Sequence, residues 1–380
     1  MQLTVIRNVG ATIGGPVNLR RKITSPQVIK RCFPLGNPEI ANNFRRTGNA
    51  RSYNGVGIYS RKLQFTIPTE DTMTHLFIIN PAAGSKNRTN DYSEVIHKTC
   101  RQKGIDYEIR VSTAPGECTR IAREAAETGG EFRIYSCGGD GTLNEVVQGA
   151  AGHENVAVTV FSGGSGNDFV KLFDDPQAFF DLERLLDAEE ASFDLIRCND
   201  DISLNICSVG LDARIGTDVS RYKRLPLLHG FRAYAASTVV NVIKGIAEHY
   251  IVELNGKRID GKQTFVCVCN GRYYGGGFNP VPEADPADGL LDVLLVKKVS
   301  RLQVPGIIGK YKNGRYKELP KLVRHYRTRS VKIICDKPTP INLDGELRTA
   351  VEVTMSVADE KLRFFYPRGL TWAVKEPATV

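Results

Sequence analysis

Residues 132–142 read Phe-Arg-Ile-Tyr-Ser-Cys-Gly-Gly-Asp-Gly-Thr, an apolar run that ends in a glycine-rich turn. The run predicts a buried strand over 132–137, and the apolar spacing after the turn predicts a helix over 142–151. Between them, the glycines of Gly138–Thr142 let the backbone turn tightly and come close to a phosphate, and a helix N-terminus offers unpaired N–H groups to it. This stretch therefore predicts a phosphate-binding turn between a strand and a helix.

Asp140 is the unusual residue of this turn. A carboxylate that faced a phosphate would be repelled by it, whereas one that reached a divalent cation, directly or through water, would not. The alternative is a glycine-rich turn whose aspartate only caps the helix. The strand-to-helix setting favours the phosphate-binding interpretation.

Strands and helices alternate on both sides of the turn. The predicted strands are 74–80, 105–112, 132–137 and 156–162, and the predicted helices are 91–103, 117–127 and 142–151. Strands separated by helices at this spacing predict βαβ units and a parallel sheet, that is, a doubly wound α/β domain over 73–200. Such a sheet binds its ligands at the carboxyl ends of its strands.

The pattern changes after about residue 200 to short strands with two interrupting helices. The predicted strands are 202–207, 250–254, 264–269, 290–296, 331–335 and 351–357, and the helices lie near 231–247 and 301–312. Asn255-Gly256 between two of these strands is a strong hairpin signal. We expect a mostly antiparallel, β-rich domain over 201–357, with 358–380 packing back on the first domain and the active site in the cleft between the domains.

The charge of the chain is concentrated before the first predicted strand. The 380 residues carry a formal net charge of +9, and 1–72 account for +8 of it, with 11 basic and three acidic residues and no apolar period. Three interpretations of 1–72 remain open: a transit peptide, a basic arm for anionic lipid or nucleic acid, or an upstream stretch that is not translated, with translation starting at Met73. The near-neutral remainder argues against a nucleic-acid partner. No stretch reaches the ~20 apolar residues of a transmembrane helix.

Two further loops strengthen the interpretation of the glycine turn. Asn80–Gly84 follows the first predicted strand, and a Gly-Gly-Ser-Gly-Asn-Asp run, 163–168, follows the fourth. Each alone is an ordinary turn signal, but together they put small-residue loops at one edge of one sheet, as a nucleotide site requires. The chain has no GxxxxGK[ST] and no GxGxxG with a following acidic residue, which excludes the P-loop class and disfavours a dehydrogenase.

The GGDGT turn, with the NPxxG loop before it and the GND loop after it, resembles the diacylglycerol kinase catalytic domain. The likeness is closest to soluble bacterial lipid kinases with sphingosine-kinase relatives, and it covers essentially all of 73–380. The resemblance implies an α/β nucleotide domain, a β-rich second domain, and ATP in the cleft. The residues that it implies for ATP contact are Asn80, Pro81, Ala82, Ala83, Gly84, Thr113, Gly139, Asp140, Gly141, Thr142, Leu143, Asn144, Glu145 and Ser165.

The resemblance also implies a magnesium loop and a catalytic base. In Asp285-Pro-Ala-Asp-Gly-Leu290, the Asp288 side chain and the carbonyls of Asp285 and Leu290 would hold a structural Mg²⁺. A second Mg²⁺ would be linked through water to the nucleotide by Asp140, Asp168 and Asp194. Taken by themselves, Asp288 fits an acidic turn and Asp194 fits a strand cap.

Glu346, in the Leu-Asp-Gly-Glu run 343–346, matches the catalytic motif of that family, which makes it the candidate general base. A carboxylate in a closing cleft, its proton affinity raised by burial, can take the proton of a lipid hydroxyl. Taken by itself, Glu346 fits a solvated turn residue.

The expected activity is ATP- and Mg²⁺-dependent phosphorylation of diacylglycerol or a similar lipid alcohol, with phosphatidic acid or its analogue as the product. A basic and apolar stretch, 221–232, could rest on an anionic membrane, or it could be an amphipathic core helix with a charged rim. The resemblance implies a cytoplasmic protein that contacts the inner membrane face peripherally, and it allows a homodimer. No motif selects the lipid. Alternatives are an NAD kinase-like enzyme and a nucleotide-binding regulatory module without turnover.

Overall fold

A computed structural model describes residues 73–84, 86–162, 167–222, 237, 240, 241 and 245–372. The first domain is built on a six-stranded sheet in the order β2-β1-β3-β4-β15-β5. Its strands are β1 Thr74–Ile79, β2 Tyr107–Val111, β3 Phe132–Gly138, β4 Val156–Ser162, β5 Ala188–Phe193 and β15 Leu362–Pro367. Its helices are α1 Thr89–Lys103, α2 Glu117–Glu127, α3 Asp140–Ala150 and the short α4 Leu182–Leu186.

The central strands of this sheet are parallel and buried. β1 pairs in parallel with both β2 and β3, and β3 pairs in parallel with β4. The side chains of Leu76–Ile79 have no exposed surface, which explains why β1 reads as a continuous apolar run rather than an alternating one. Helix α1 ends at Gly104, whose φ of 64° lies in the left-handed region that glycine adopts without strain.

The second domain is an antiparallel structure of nine strands. They are β6 Ile196–Cys198, β7 Asp201–Ser203, β8 Ile206–Gly210, β9 Glu248–Leu254, β10 Lys257–Cys269, β11 Leu291–Lys297, β12 Val323–Thr328, β13 Ser330–Leu343 and β14 Glu346–Val357. The long strands β10 and β13 each pair with β9 along their first half and with β8 along their second half. The helices of this domain are α5 Leu211–Tyr222 and α6 Val304–Lys312.

The predicted fold class is confirmed: a parallel-sheet α/β domain precedes an antiparallel β-rich domain. The hairpin signal is confirmed as well, because Leu254 of β9 pairs with Lys257 of β10 across Asn255-Gly256, and both turn residues have positive φ, 49° and 70°. Most predicted element ends shifted by a few residues, and α3 begins at Asp140 rather than at 142. Two strands are much longer than predicted: β10 begins at Lys257 rather than at 264, and β13 ends at Leu343 rather than at 335. The predicted helix 231–247 lies mostly outside the described residues.

Several elements were not predicted from the sequence patterns. Among them are strands β5, β12 and β15 and helices α4 and α5, and the strand predicted over 202–207 is interrupted between β7 and β8. β5 reads Ala-Glu-Glu-Ala-Ser-Phe, a composition that disfavours a strand, and it forms at the sheet edge by antiparallel pairing with β15. That pairing joins residues far apart in the chain and leaves no local signal.

The chain crosses between the domains twice, from β5 to β6 and from β14 to β15. β15 returns to the first sheet and pairs in parallel with β4. The two crossings are joined by the Lys361 ammonium, 2.7 Å from the carboxylate of Asp194. The domains are thus tied side by side along one edge. No helix in the described part of the chain is long and apolar enough to cross a membrane.

Candidate functional site

The loops after β1 and β3 meet where the order of the parallel sheet reverses. The chain leaves β1 towards β2 on one side and leaves β3 towards β4 on the other, which makes the carboxyl ends of β1 and β3 a topological switch point. Asn80 joins the two loops: its backbone N–H donates to the Cys137 carbonyl at 3.1 Å and its side-chain amide donates to the Thr142 hydroxyl at 3.1 Å. Two of the predicted nucleotide loops therefore form one surface.

The glycines of the GGDGT turn have different structural roles. A Cβ on Gly138 would stand only 2.2 Å from the Thr142 hydroxyl. Glycine at this position therefore allows the turn to pack closely against the first residues of α3. Among the described residues, no neighbouring atom outside the helix's own backbone lies within 4 Å of the place where a Cβ on Gly141 would stand. Open space beside the first turn of a helix, where backbone N–H groups have no intrahelical acceptor, suits a phosphate group.

Asp140 and Asp168 are neighbours at this edge. The backbone N–H of Asp168 donates to the Asp140 carboxylate at 2.5 Å, and the Asp168 carboxylate receives the Lys171 ammonium at 2.5 Å and the Gly276 N–H at 2.7 Å. Burial, and then the charge of Asp168, raises the pKa of Asp140 to about 6. Lys171 was not predicted from sequence, although its spacing of three from Asp168 across a 3₁₀ turn is a recognisable pairing signal.

Two of the residues predicted to contact the nucleotide make bonds that fasten the fold. Glu145 accepts the Cys118 N–H with its carboxylate at 3.2 Å and the Thr119 hydroxyl with its carbonyl at 2.8 Å, so it fastens the start of α2 to α3. Thr113 donates both its N–H and its hydroxyl to Glu117, at 2.5 and 2.7 Å. These donors, with the Arg120 guanidinium, lower the pKa of Glu117 to about 2.

The other predicted nucleotide residues divide by burial. Leu143 and Asn144 are buried within α3, whereas Pro81, Ala82, Ala83 and Gly84 form the partly exposed loop after β1. Ser165 lies outside the described residues.

The Leu-Asp-Gly-Glu run forms a tight hairpin between β13 and β14. Leu343 pairs with Glu346 across Asp344 and Gly345, whose φ angles are 49° and 99°. The Asp344 carboxylate accepts three successive backbone N–H groups, from Leu204 at 2.7 Å, Asn205 at 3.0 Å and Ile206 at 2.7 Å. This is why the strand predicted over 202–207 is interrupted: its N–H groups there bond to a side chain rather than to a neighbouring strand.

Glu346 is exposed at the start of β14, so the burial expected of a general base is absent. The two-residue turn directs the Asp344 carboxylate towards the backbone of residues 204–206 and leaves Glu346 exposed beside the turn. Burial raises the pKa of Asp344, and its charge in turn contributes to the raised pKa of Asp140. The Gly276 N–H of the second domain donates to Asp168 beside the GGDGT turn, so the two domains meet at this edge, and we take this edge as the candidate site.

Replacing Asp344 with alanine should lower the free energy of unfolding by about 3 kcal/mol, because three buried N–H groups lose their acceptor. Asp344→Asn should lose less, since asparagine tolerates positive φ and retains one acceptor oxygen. Urea unfolding at neutral pH measures both values. Equal stability of wild type and the alanine variant would show that the anchor contributes nothing.

The predicted magnesium loop, 285–290, is closed by bonds within the protein. The Asp288 carboxylate accepts the Leu290 N–H at 2.9 Å with one oxygen and contacts the Arg327 guanidinium with the other. Asp285 accepts the Ala287 N–H at 3.0 Å. Among the residues that the structure describes, no group of three or more His, Cys, Asp or Glu side chains could hold a metal ion. This donor set does not fit a structural magnesium ion.

Asp194 belongs to the same region. One oxygen of its fully buried carboxylate accepts the Gly289 N–H at 2.7 Å and the other contacts Lys361, while its backbone N–H donates to the Pro286 carbonyl at 2.6 Å. It fastens the 285–290 loop to the crossing between the domains. These bonds, rather than a strand cap or a link to the nucleotide, account for both of its oxygens.

Known proteins share this architecture. Residues 74–198 match the diacylglycerol kinase catalytic domain, and 205–366 match the YegS C-terminal NAD kinase beta sandwich-like domain. A Staphylococcus carnosus protein named "Putative lipid kinase" is 23% identical over 296 residues, 77% of this chain and 96% of the relative.

Two solved Bacillus anthracis structures share the fold. One, described as "a putative diacylglycerol kinase", has a TM-score of 0.62 at 21% identity and covers 80% of this chain and 100% of its own. The other, described as a diacylglycerol kinase, has a TM-score of 0.56 at 19% identity and covers 81% of this chain and 98% of its own.

The parallel-sheet domain with its GGDGT turn and the β-rich domain that follows it define a kinase-type protein of two domains. The chain carries the catalytic domain of the diacylglycerol kinase family over 74–198, followed by the YegS-type C-terminal domain over 205–366. Membership of this family implies an enzyme that uses a nucleotide and, as kinases usually do, a divalent metal.

Proposed function

We propose that this protein transfers the γ-phosphate of ATP, with Mg²⁺, to the hydroxyl of diacylglycerol or a related lipid and so forms phosphatidic acid or its analogue. The observation that carries the proposal is that the GGDGT turn lies at the switch point of the parallel sheet, where the second domain also makes contact: the Gly276 N–H donates to Asp168, the neighbour of Asp140, at 2.7 Å. The nucleotide would bind at this edge, and the Asp344 hairpin of the second domain would supply the carboxylate for the acceptor.

The first domain would hold the nucleotide phosphates. The open space beside Gly141 and the start of α3 suit the phosphate chain, and the loop after β1 is already fixed to the turn through Asn80. Phosphoryl transfer needs chiefly positioning and charge neutralisation. Magnesium, when bound with ATP, would supply most of that neutralisation. Asp140 would orient the metal through water, and a raised pKa, about 6, leaves it ionised at neutral pH.

The second domain would hold the acceptor. Glu346 stands exposed at the hairpin, where a lipid hydroxyl entering the cleft could reach it. As the general base, it would take the hydroxyl proton as the new phosphate ester bond forms. Asp344 supports this role as a positioning residue, because its bonds to the strand entry at 204–206 fix the turn that carries Glu346.

Peripheral binding to the inner membrane face forms part of the proposal, since a lipid acceptor is met at a bilayer. The basic and apolar stretch that would make this contact, 221–232, lies outside the residues whose side chains the structure describes. Co-sedimentation of the full chain with vesicles, anionic against zwitterionic, measures the contact. Binding to neither would contradict it.

A panel of acceptors tests the activity. The full chain with γ-labelled ATP and magnesium chloride should label diacylglycerol in mixed micelles, and Asp140→Asn should reduce that labelling by a factor of about 10² to 10³. Labelling of a sphingoid base instead would change the lipid, and labelling of NAD would support an NAD kinase-like enzyme. Binding of ATP without transfer to any acceptor would support a regulatory module.

A further inference from the structure

The 285–290 loop contacts a cationic side chain of the protein itself. The register of two neighbouring strands determines which residue supplies it. β11 and β12 pair so that Arg327 lies directly opposite Asp292, four residues beyond Asp288. From there the guanidinium contacts the Asp288 carboxylate, and its Nε stands 3.6 Å from that of Asp292. We propose that Arg327 takes the place of a structural divalent cation, so that the loop folds without metal.

Both oxygens of Asp288 are engaged, one by the Leu290 N–H and one by Arg327. Mg²⁺ requires about six oxygen ligands in near-ideal octahedral geometry. The single carboxylate that would anchor it here is held by an arginine, whose forked donors match a carboxylate and which keeps its charge at every physiological pH. A divalent ion on Asp288 would have to displace that guanidinium.

The other carboxylates around the loop are also matched within the protein. Asp194 contacts Lys361 at 2.7 Å, and the Arg329 guanidinium comes within 3.8 Å of the space beside Gly289 that a Cβ would fill. Both cations stand near the loop. Charge repulsion from them adds to the shortage of ligands.

Asp292 extends the arrangement into the interior. Its side chain is 2% exposed and hydrogen-bonds His325 at 2.6 Å, and His325 in turn hydrogen-bonds the Tyr316 hydroxyl at 3.1 Å. The Tyr316 hydroxyl also donates to Glu283, which contacts Lys317 at 2.8 Å. Arg327 thus connects the loop to a network of hydrogen-bonded side chains, and this network helps to hold the loop in place.

The inference concerns the fold of the loop and stands whether or not the lipid is the acceptor. Any dependence of this protein on metal would then arise only from the metal that binds with the nucleotide. A ligand that binds only the folded state raises the melting temperature, so a structural ion would be visible in thermal unfolding without any turnover.

The test compares thermal unfolding of the nucleotide-free full chain in EDTA and in magnesium chloride. We expect the wild-type melting temperature to be the same in both. Arg327→Ala should melt about 2 °C or more lower in EDTA and should regain part of the loss in magnesium, because Asp288 and Asp292 are then open to the ion. Arg324→Ala, an exposed arginine on the opposite face of β12, is the matched control and should not respond to magnesium.

Titration calorimetry of the wild type with magnesium chloride alone gives a second measurement. A wild-type melting temperature that falls on chelation, or a calorimetric site lost in Asp288→Asn, would overturn the proposal. If Arg327→Ala does not fold, Arg327→Lys replaces it. Lysine keeps the charge but not the forked donors, so it should melt below wild type and still gain nothing from magnesium.

Discussion

Asp140→Asn should make the nucleotide-free protein more stable above pH 6 while reducing phosphoryl transfer by a factor of about 10² to 10³. The pKa of Asp140 is raised from 3.8 to about 6 by burial and by Asp168. The folded state therefore binds the proton more tightly than the unfolded state, and stability is lost as pH rises from about 4 to about 6. Above that range the buried charge costs about 3 kcal/mol, at 1.36 kcal/mol for each pKa unit.

Asparagine has nearly the same shape as aspartate and keeps an oxygen that can accept the Asp168 N–H. The Asp140→Asn variant should therefore avoid the free-energy cost of the buried charge and retain this hydrogen bond. Urea unfolding without metal at pH 5 and pH 8 measures the difference, which should be larger at pH 8. Asp106→Asn, the same change at an exposed residue of the same domain, should have no effect. If Asp140→Asn is no more stable than wild type at pH 8, the charge of Asp140 does not destabilise the folded state.

Glu346→Gln should reduce kcat by a factor of about 10² to 10⁴, the usual contribution of a general base. The melting temperature should not change, because Glu346 is exposed and glutamine has the same shape. A steady-state assay on the acceptor identified by the lipid panel, with thermal unfolding alongside, separates loss of catalysis from loss of fold.

Glu352→Gln is the matched control for this result. Glu352 is also exposed on β14 and contacts Lys332 at 2.7 Å, on the same hairpin but away from its turn. Its substitution should leave kcat unchanged. A wild-type kcat in Glu346→Gln would contradict the assignment of the base, and an equal loss in Glu352→Gln would show that hairpin charge in general, rather than a base, is needed.

The features predicted correctly from sequence are those that local chain geometry specifies. A buried strand followed by GGDGT predicts a strand, a turn and a helix, since glycine and the helix N-terminus act over a few residues. Asn255-Gly256 predicts a hairpin for the same reason. The exposure of Glu346 agrees with the alternative of a solvated turn residue rather than with a buried base, because the motif identifies the residue but not the depth of the turn that carries it.

Long-range pairing accounts for what the sequence patterns missed. β5 forms only because β15 returns to the first sheet, and the break between β7 and β8 exists because Asp344, 138 or more positions away, accepts the N–H groups there. The engagement of Asp288 by Arg327 depends on the register of β11 against β12. In each case the deciding partner is distant in the chain.

By itself, the sequence determined the two-domain class, the position of the glycine-rich turn and the likeness to lipid kinases, because periodicity and glycine placement act within a few residues. Only the tertiary structure decided which carboxylates lie together at the edge of the sheet and which fasten the fold. Asp140 carries a raised pKa beside Asp168 and within range of Asp344, whereas Asp194 and Asp288 are bonded to Lys361 and Arg327. The role of a carboxylate follows from burial and from the charges that surround it, and folding alone brings those charges together.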